Sequence, residues 1–447
     1  MMKKVAAFFH NRDVLNRILF TLAIFLVFRI GSAITVPGVT VNQDIWNDTT
    51  SSFSLLNMMG GGALQNFSVF ALGVSPYITA QIIIQLLSMD VLPSLTQMSK
   101  EGETGRKKLD VVTRLLSVVL AAVQAYGIIV ALTNSDGLTL GDTSPWGYTK
   151  VIIFMLAGTL MLTWFGDQIT DKGIGNGISM MIFAGIVSAL PSQITNAFTN
   201  FLGGKVKSGD PNLILQGSVQ IAVYLIALIA IVVFVTFIEK SVRKLPVSHS
   251  NTSQSNDLFT QQSSFLPIKV NASSVMPVIF ASSIMVAPSI IISLFNTGTK
   301  PGWAAKIEEV FNYQQMTKMG SNFSFPWGPI IYAVLIIAFS YFYAQLEINP
   351  ERIAEEFQNS GTYITGIKPG TETERYITRI LTRITFIGSM ALTLIALVPI
   401  ILSLTGAVPS SLSLGGTGLI IVVGVALETN NQIDGILAGQ GFAESEL

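Results

Sequence analysis

The chain of 447 residues contains no cysteine. Disulfides, thiolate metal sites and cysteine nucleophiles are excluded on that ground. Histidine is almost as rare: His10 and His249 are the only two, and both lie in polar flanks. A Ser-His-Asp arrangement has no histidine inside an apolar segment to draw on. Charged residues make up 12% of the chain, against about 25% in soluble domains. The formal net charge is zero, so no overall nucleic-acid footprint exists. No Walker-type phosphate loop occurs. The string Gly173-Ile174-Gly175-Asn176-Gly177 has no strand before it and reads as a turn ahead of a helix. Enzymatic activity, a bound metal and a cofactor are not expected.

What the chain has is apolar sequence. Half the residues are hydrophobic, and mean hydropathy is +0.58. A bilayer core needs roughly 20 apolar helical residues per span. Ten segments qualify as candidates: Ile18–Ile34, Ser68–Met89, Val111–Leu132, Val151–Phe165, Ile178–Leu190, Leu213–Ile238, Ala272–Phe295, Trp327–Leu346, Ile384–Leu404 and Thr417–Leu427. The fifth and tenth are short. The first apolar run has no small-residue cleavage pattern after it and reads as a retained span.

An internal repeat organises these segments. Gly73-Val74-Ser75-Pro76-Tyr77-Ile78-Thr79-Ala80 and Val275-Met276-Pro277-Val278-Ile279-Phe280-Ala281-Ser282 share the pattern Val-x-Pro-x-Ile-x-Ala. Four matches in apolar sequence also arise by chance. Here, however, the motif falls in the second span of each set of five, and a short span closes each set. An odd number of spans per half makes the copies run in opposite directions, an inverted repeat. The predicted fold is an all-α polytopic membrane protein of ten transmembrane helices in two pseudosymmetric halves, residues 1–200 and 201–447.

Lys and Arg set the orientation. They concentrate in the segments that lie inside when the N-terminus is cytoplasmic, among them Lys100, Arg106, Lys107, Lys108, Arg243, Lys244, Lys368 and Arg375. Both termini are therefore expected in the cytoplasm. So are the large loops near residues 90–110, 239–269 and 347–383.

The span interiors hold almost no acids, which argues against an ion-coupled transporter. Arg29 is the clear intramembrane charge, and snorkelling or bonding to nearby carbonyls accounts for it. Asp167, Asp171 and Glu239 lie at cytoplasmic span ends, where solvation is expected. Between the first two spans, Leu55-Leu56-Asn57-Met58-Met59-Gly60-Gly61-Gly62-Ala63-Leu64 is apolar but too short to cross. Its three glycines weaken a helix by about 1 kcal/mol each relative to alanine. It reads either as an interfacial helix or as a re-entrant plug that leaves its site at low cost. Val74 and Ile78 are one helical turn apart, as are Ile182 and Ile186. Ile279 lies in the second motif copy and Ile421 in the tenth span. Such spacing is ordinary packing unless these residues converge between the halves, where they would make an apolar constriction that gates by excluding water.

The chain resembles the SecY family, the channel subunits of the bacterial Sec protein translocase. The likeness runs from about Arg12 to Glu428. It rests on strings such as Phe28-Arg29-Ile30-Gly31, Gly60-Gly61-Gly62-Ala63-Leu64, Phe70-Ala71-Leu72-Gly73-Val74-Ser75-Pro76-Tyr77-Ile78, Leu266-Pro267-Ile268-Lys269-Val270-Asn271 and Gly415-Gly416-Thr417. It implies an hourglass pore ringed by Val74, Ile78, Ile182, Ile186, Ile279 and Ile421, and a plug over about Leu55–Asn66. It implies a lateral gate between spans two and three on one side and seven and eight on the other, with Thr79, Gln124, Ser282 and Ser283 as polar candidates. It further implies SecE and SecG as companion subunits and a plasma-membrane location. Secretory proteins with signal sequences would be the cargo, and lipid would receive transmembrane segments sideways. The SecA motor or the ribosome would dock near Arg243, Lys244, Lys368 and Arg375.

Two departures stand out. Gly366-Ile367-Lys368-Pro369-Gly370 has Lys where the family usually has Arg, keeping charge but losing bidentate geometry. The loop tip 248–264 and the tail 429–447 carry no Lys or Arg, although contact with ribosomal RNA relies on basic residues. An accessory channel with restricted cargo, a scaffold without a continuous pore and an inverted-repeat solute transporter are the competing readings.

Overall fold

The computed structural model describes residues 12–42, 57–58, 60–89, 91–134, 137–203, 211–249, 265–295, 302–312, 316–318, 324–406 and 410–439. Leu55 and Met59 of the expected plug, the loop tip 250–264 and the tail 440–447 lie outside them.

Ten apolar helices form the body: α1 (Arg12–Ala33), α2 (Ser75–Ser88), α3 (Glu103–Asn134), α4 (Pro145–Lys172), α5 (Gly177–Phe198), α6 (Pro211–Lys240), α7 (Met276–Phe295), α8 (Trp327–Glu347), α9 (Thr371–Leu404) and α10 (Ser410–Gly439). Seven helical stretches, all but α2, α7 and α10, meet the length and hydropathy needed to cross a membrane on their own. Their outward faces are apolar: on α6, Phe237 is 71% exposed and Ile226 is 65% exposed. Such surface is stable only against lipid or another apolar partner.

The packing pattern repeats between halves. α2 packs on α3, α3 on α4 and α4 on α5; α7 packs on α8, α8 on α9 and α9 on α10. α1 closes the first set against α4 and α5, as α6 closes the second against α9 and α10. The halves meet along two seams, α2 and α3 against α7, and α5 against α10. Pro76 and Pro277 each occupy the second residue of their helix, α2 and α7. Proline is tolerated there because its missing N–H falls among the unpaired donors of the first turn. The motif repeat therefore marks two equivalent helix starts.

Helix extents differ from the sequence reading. The fifth and tenth helices are not short: α5 has 22 residues and α10 has 30. α5 continues through Pro191, which the apolar count takes as a stop. α10 continues as a polar extension. Its Ile433 and Leu437 pack with Val14 and Ile174, and Gln432 Oε1 accepts a 2.9 Å hydrogen bond from the Gly175 amide. The shorter members are α2 and α7. α2 has 14 helical residues, and turns from Gly60 to Val74 precede it. Buried irregular backbone of this kind is tolerated at membrane depth only inside protein.

The loops after α6 and α8 carry strands. β3 (Val242–His249) and β4 (Phe265–Lys269) form an antiparallel hairpin after α6, and β7 (Thr362–Ile364) from the loop after α8 joins β3 on its other side. On the opposite side, β1 (Val39–Val41) after α1 pairs with β2 (Leu138–Leu140) before α4, and β5 (Thr317–Lys318) pairs with β6 (Ser324–Phe325) ahead of α8. Each sheet that joins two loops joins ones that the charge pattern assigns to the same side, in agreement with that topology.

Candidate functional site

Val74, Ile78, Ile182, Ile186, Ile279 and Ile421 come from α2 and its N-cap, α5, α7 and α10, the helices of both inter-half seams. All six are buried, between 0% and 6% exposed, and all belong to one apolar cluster that spans the halves. Met58 and Ala63 from the glycine-rich segment join the same cluster. Space opens on both sides of it. A cavity of about 270 Å³ is lined by Ile78, Ile182 and Ile279 together with Tyr77, Asp167 and Asp171. A wider cavity of about 910 Å³ is lined by Arg29, Asn57, Met58, Gly61, Gln65 and Asn66. The arrangement is two polar-edged hollows with a band of aliphatic side chains between them.

The described residues of the glycine-rich segment are mostly turn, not the short helix one could read from the sequence. Only Asn57 and Met58 are helical among its described residues, and Gly60 to Val74 run in turns. Gly61 has φ +67°, and a Cβ on it would lie 2.7 Å from Ser188 Oγ and 3.1 Å from the Gly185 Cα. Glycine is required there for both conformation and close approach. A Cβ on Gly418 would lie 2.9 Å from Ile186 and 3.2 Å from the Met58 Cε, so the segment, α5 and α10 converge. Arg29 Nη1 donates to the Gly61 carbonyl at 2.9 Å, in line with the carbonyl-bonding alternative for that charge.

The gate candidates lie on helices that meet. Ser282 and Gln124 are buried, whereas Thr79 and Ser283 are half-buried. The hydroxyls of Thr79, Ser282 and Ser283 turn back to carbonyls of their own helices, at 3.1, 2.7 and 2.9 Å. The hydrogen bond that joins α2 to α8 instead runs from Tyr343 to Gln85, at 3.3 Å. No spacing rule links positions 258 residues apart. Asp167 and Glu239 are not simply solvated. Asp167 pairs with Arg114 of α3 at 2.9 Å, and Glu239 accepts a 2.6 Å hydrogen bond from Asn271. Both partners come from distant sequence.

The basic loop residues are accessible. Arg243 and Lys244 lie exposed on β3, with Lys244 Nζ 4.5 Å from the centre of the Phe265 ring. Lys368 and Arg375 are exposed on the loop after α8 and on the first turns of α9. Lys368 sits between Gly366 (φ +85°) and Gly370 (φ +96°), and its carbonyl accepts the Thr373 hydroxyl at 2.9 Å. Its backbone is held while its ammonium is free to project.

Comparison with known proteins decides the family. The SecY family model matches residues 68–430. The chain belongs to the SecY family. Protein translocase subunit SecY of Bacillus licheniformis is 42% identical over 443 residues, covering 99% of each chain. Its Bacillus subtilis counterpart is 41% identical over 444 residues, again covering 99% of each. Among solved structures, a protein-conducting channel superposes with TM-score 0.66 at 20% identity, covering 94% of this chain and 92% of the other. The channel of the canine ribosome–channel complex from the endoplasmic reticulum gives 0.63 at 18% identity, with the same coverage. At those identities the structures speak to fold alone. The protein is thus a multi-pass membrane protein with the architecture of SecY channels.

Proposed function

We propose that this chain is the pore-forming subunit of a protein translocase. It passes unfolded secretory proteins across the plasma membrane and releases transmembrane segments sideways into lipid. The observation that carries this reading is the buried aliphatic band of Val74, Ile78, Ile182, Ile186, Ile279 and Ile421 between two hollows, one of them floored by the glycine-rich segment. An apolar band holds back water and ions when closed, and has no fixed polar geometry that a passing chain must match. The segment of about Leu55–Asn66 would act as the plug. The seam of α2 and α3 against α7, with α8 at its edge, would be the lateral gate.

With the chain so oriented that Arg243, Lys244, Lys368 and Arg375 face the cytoplasm, these residues form the docking surface for SecA or the ribosome. SecE and SecG complete the complex. The channel supplies no driving force of its own in this reading: the motor or the elongating ribosome pushes, and the channel guides. The deciding experiment is reconstitution of the purified complex in lipid vesicles with SecA, ATP and an unfolded polypeptide bearing a signal sequence. Protection of the polypeptide from added protease is the expected result. Failure to protect any signal-bearing substrate, in vesicles where the complex is intact and correctly inserted, removes the proposal.

A further inference from the structure

The glycine-rich segment is held in two different ways to α1 and to the residues that follow it. Its outgoing end is stapled by backbone: the Val36 amide donates to the Phe67 carbonyl at 3.0 Å, and the Val69 amide donates to the Ile34 carbonyl at 3.3 Å. Asn66 adds a long 3.5 Å contact to the Ser32 carbonyl. Among the described residues of the leading part, the tie to α1 is the 2.9 Å hydrogen bond from Arg29 Nη1 to the Gly61 carbonyl. Gly61 meanwhile lies against Gly185 and Ser188 of α5. Its backbone is therefore pinned between two helices, by contact on one side and by a cation on the other.

We propose that Arg29 is the positioning residue that latches the plug shut. This inference rests on the plug reading above and assigns its release to one hydrogen bond. The chemistry suits a latch that must open repeatedly. Among the described residues lining the wider cavity there is no Asp or Glu, and the guanidinium meets a backbone carbonyl through one nitrogen. When the plug moves away, the charge stays in a hydrated space and no buried ion is stranded. A carboxylate partner would instead leave a second charge behind. Arginine suits the position better than lysine because its planar fork extends several donors from one stem.

The absence of native cysteine makes the test direct. Ala63 is fully buried in the segment, and Ala304, fully buried in the helix Gly302–Phe311, lies outside the segment's apolar clusters. Single variants Ala63→Cys and Ala304→Cys are reacted from outside with a membrane-impermeant maleimide, in the assembled complex in membrane vesicles of the matching orientation. Combining Ala63→Cys with Arg29→Met should speed labelling roughly tenfold, the scale set by losing a hydrogen bond to a charged group. Arg29→Lys should fall between the two. Labelling of Ala304→Cys should not change with Arg29→Met. If Ala63→Cys labels at the same rate with and without Arg29, the latch does not exist. If Ala304→Cys accelerates in parallel, the arginine is a general structural support and the proposal is overturned. Should Arg29→Met fail to accumulate, Arg29→Lys and Arg29→Gln carry the same comparison. Labelling reports plug movement whether or not the complex transports anything, so its failure is distinct from failure of the channel reading.

Discussion

Tyr343 donates its hydroxyl to Gln85 Oε1 at 3.3 Å, bridging α8 of one half to α2 of the other. The ring is positioned from the α7 side, where it meets Phe280 at 5.1 Å between centroids. Tyr343→Phe keeps that packing and removes only the hydroxyl. A neutral hydrogen bond contributes about 1 kcal/mol, so the closed seam should be weakened several-fold. Export of a reporter with a defective signal sequence should rise by that order. Gln85→Leu should do the same, and the double variant should add little, as expected for two ends of one bond. Strict additivity of the two effects would show that the residues act separately.

The aliphatic band makes a second prediction. Ile279 and Ile421 are 1% and 4% exposed, and asparagine at either position brings an amide into the closed constriction. Burying an unpaired amide costs about 1–3 kcal/mol, a cost relieved when the pore fills with water. Ile279→Asn and Ile421→Asn should therefore raise resting ion conductance in planar bilayers by about tenfold or more. They should also let defective signal sequences pass. Normal accumulation with blocked export and unchanged conductance would place these residues outside the constriction.

A third prediction concerns Lys368, exposed between two glycines with left-handed backbone. Lys368→Glu should lower SecA affinity and SecA-driven transport about tenfold or more while assembly in the membrane stays normal, because charge reversal opposes an acidic partner surface. Lys368→Arg should be tolerated or bind slightly better through two-pronged contacts. Binding and transport in reconstituted vesicles are the measurements; unchanged values for the glutamate variant would remove Lys368 from the docking surface.

The parts legible in the sequence are those with a local cause. Apolar runs located all ten helices, since each needs its own apolar length. Pro76 and Pro277 marked equivalent helix starts because proline fits the first turn and little else of a helix. The aliphatic band was nameable by spacing and by family likeness, yet its convergence needed the fold. Where chain segments far apart meet, the sequence was silent: Arg29 with Gly61, Arg114 with Asp167 and Tyr343 with Gln85 have no local signature. β3 and β4 are hidden by Pro246 and Pro267, residues that argue against strands: Pro267 lies on the edge strand β4, and Pro246 sits where the pairing of β3 passes from β4 to β7. α5 and α10 were read as short because hydropathy follows the bilayer, whereas helix continues beyond it wherever polar residues find partners.

The small sheet beyond α6 and α8 has a mechanical consequence. β3 follows α6, and β7 lies between α8 and α9; the antiparallel register Val247 to Ile364, Ser248 to Tyr363 and His249 to Thr362 locks them side by side. Backbone hydrogen bonds across a strand pair resist shear far better than a pair of loops tethered only at their ends. A load applied at the turn 366–370 would therefore be shared among α6, α8 and α9 instead of bending one loop. Under the proposed docking at that turn, the sheet would act as a yoke that couples several helices of the second half to the partner.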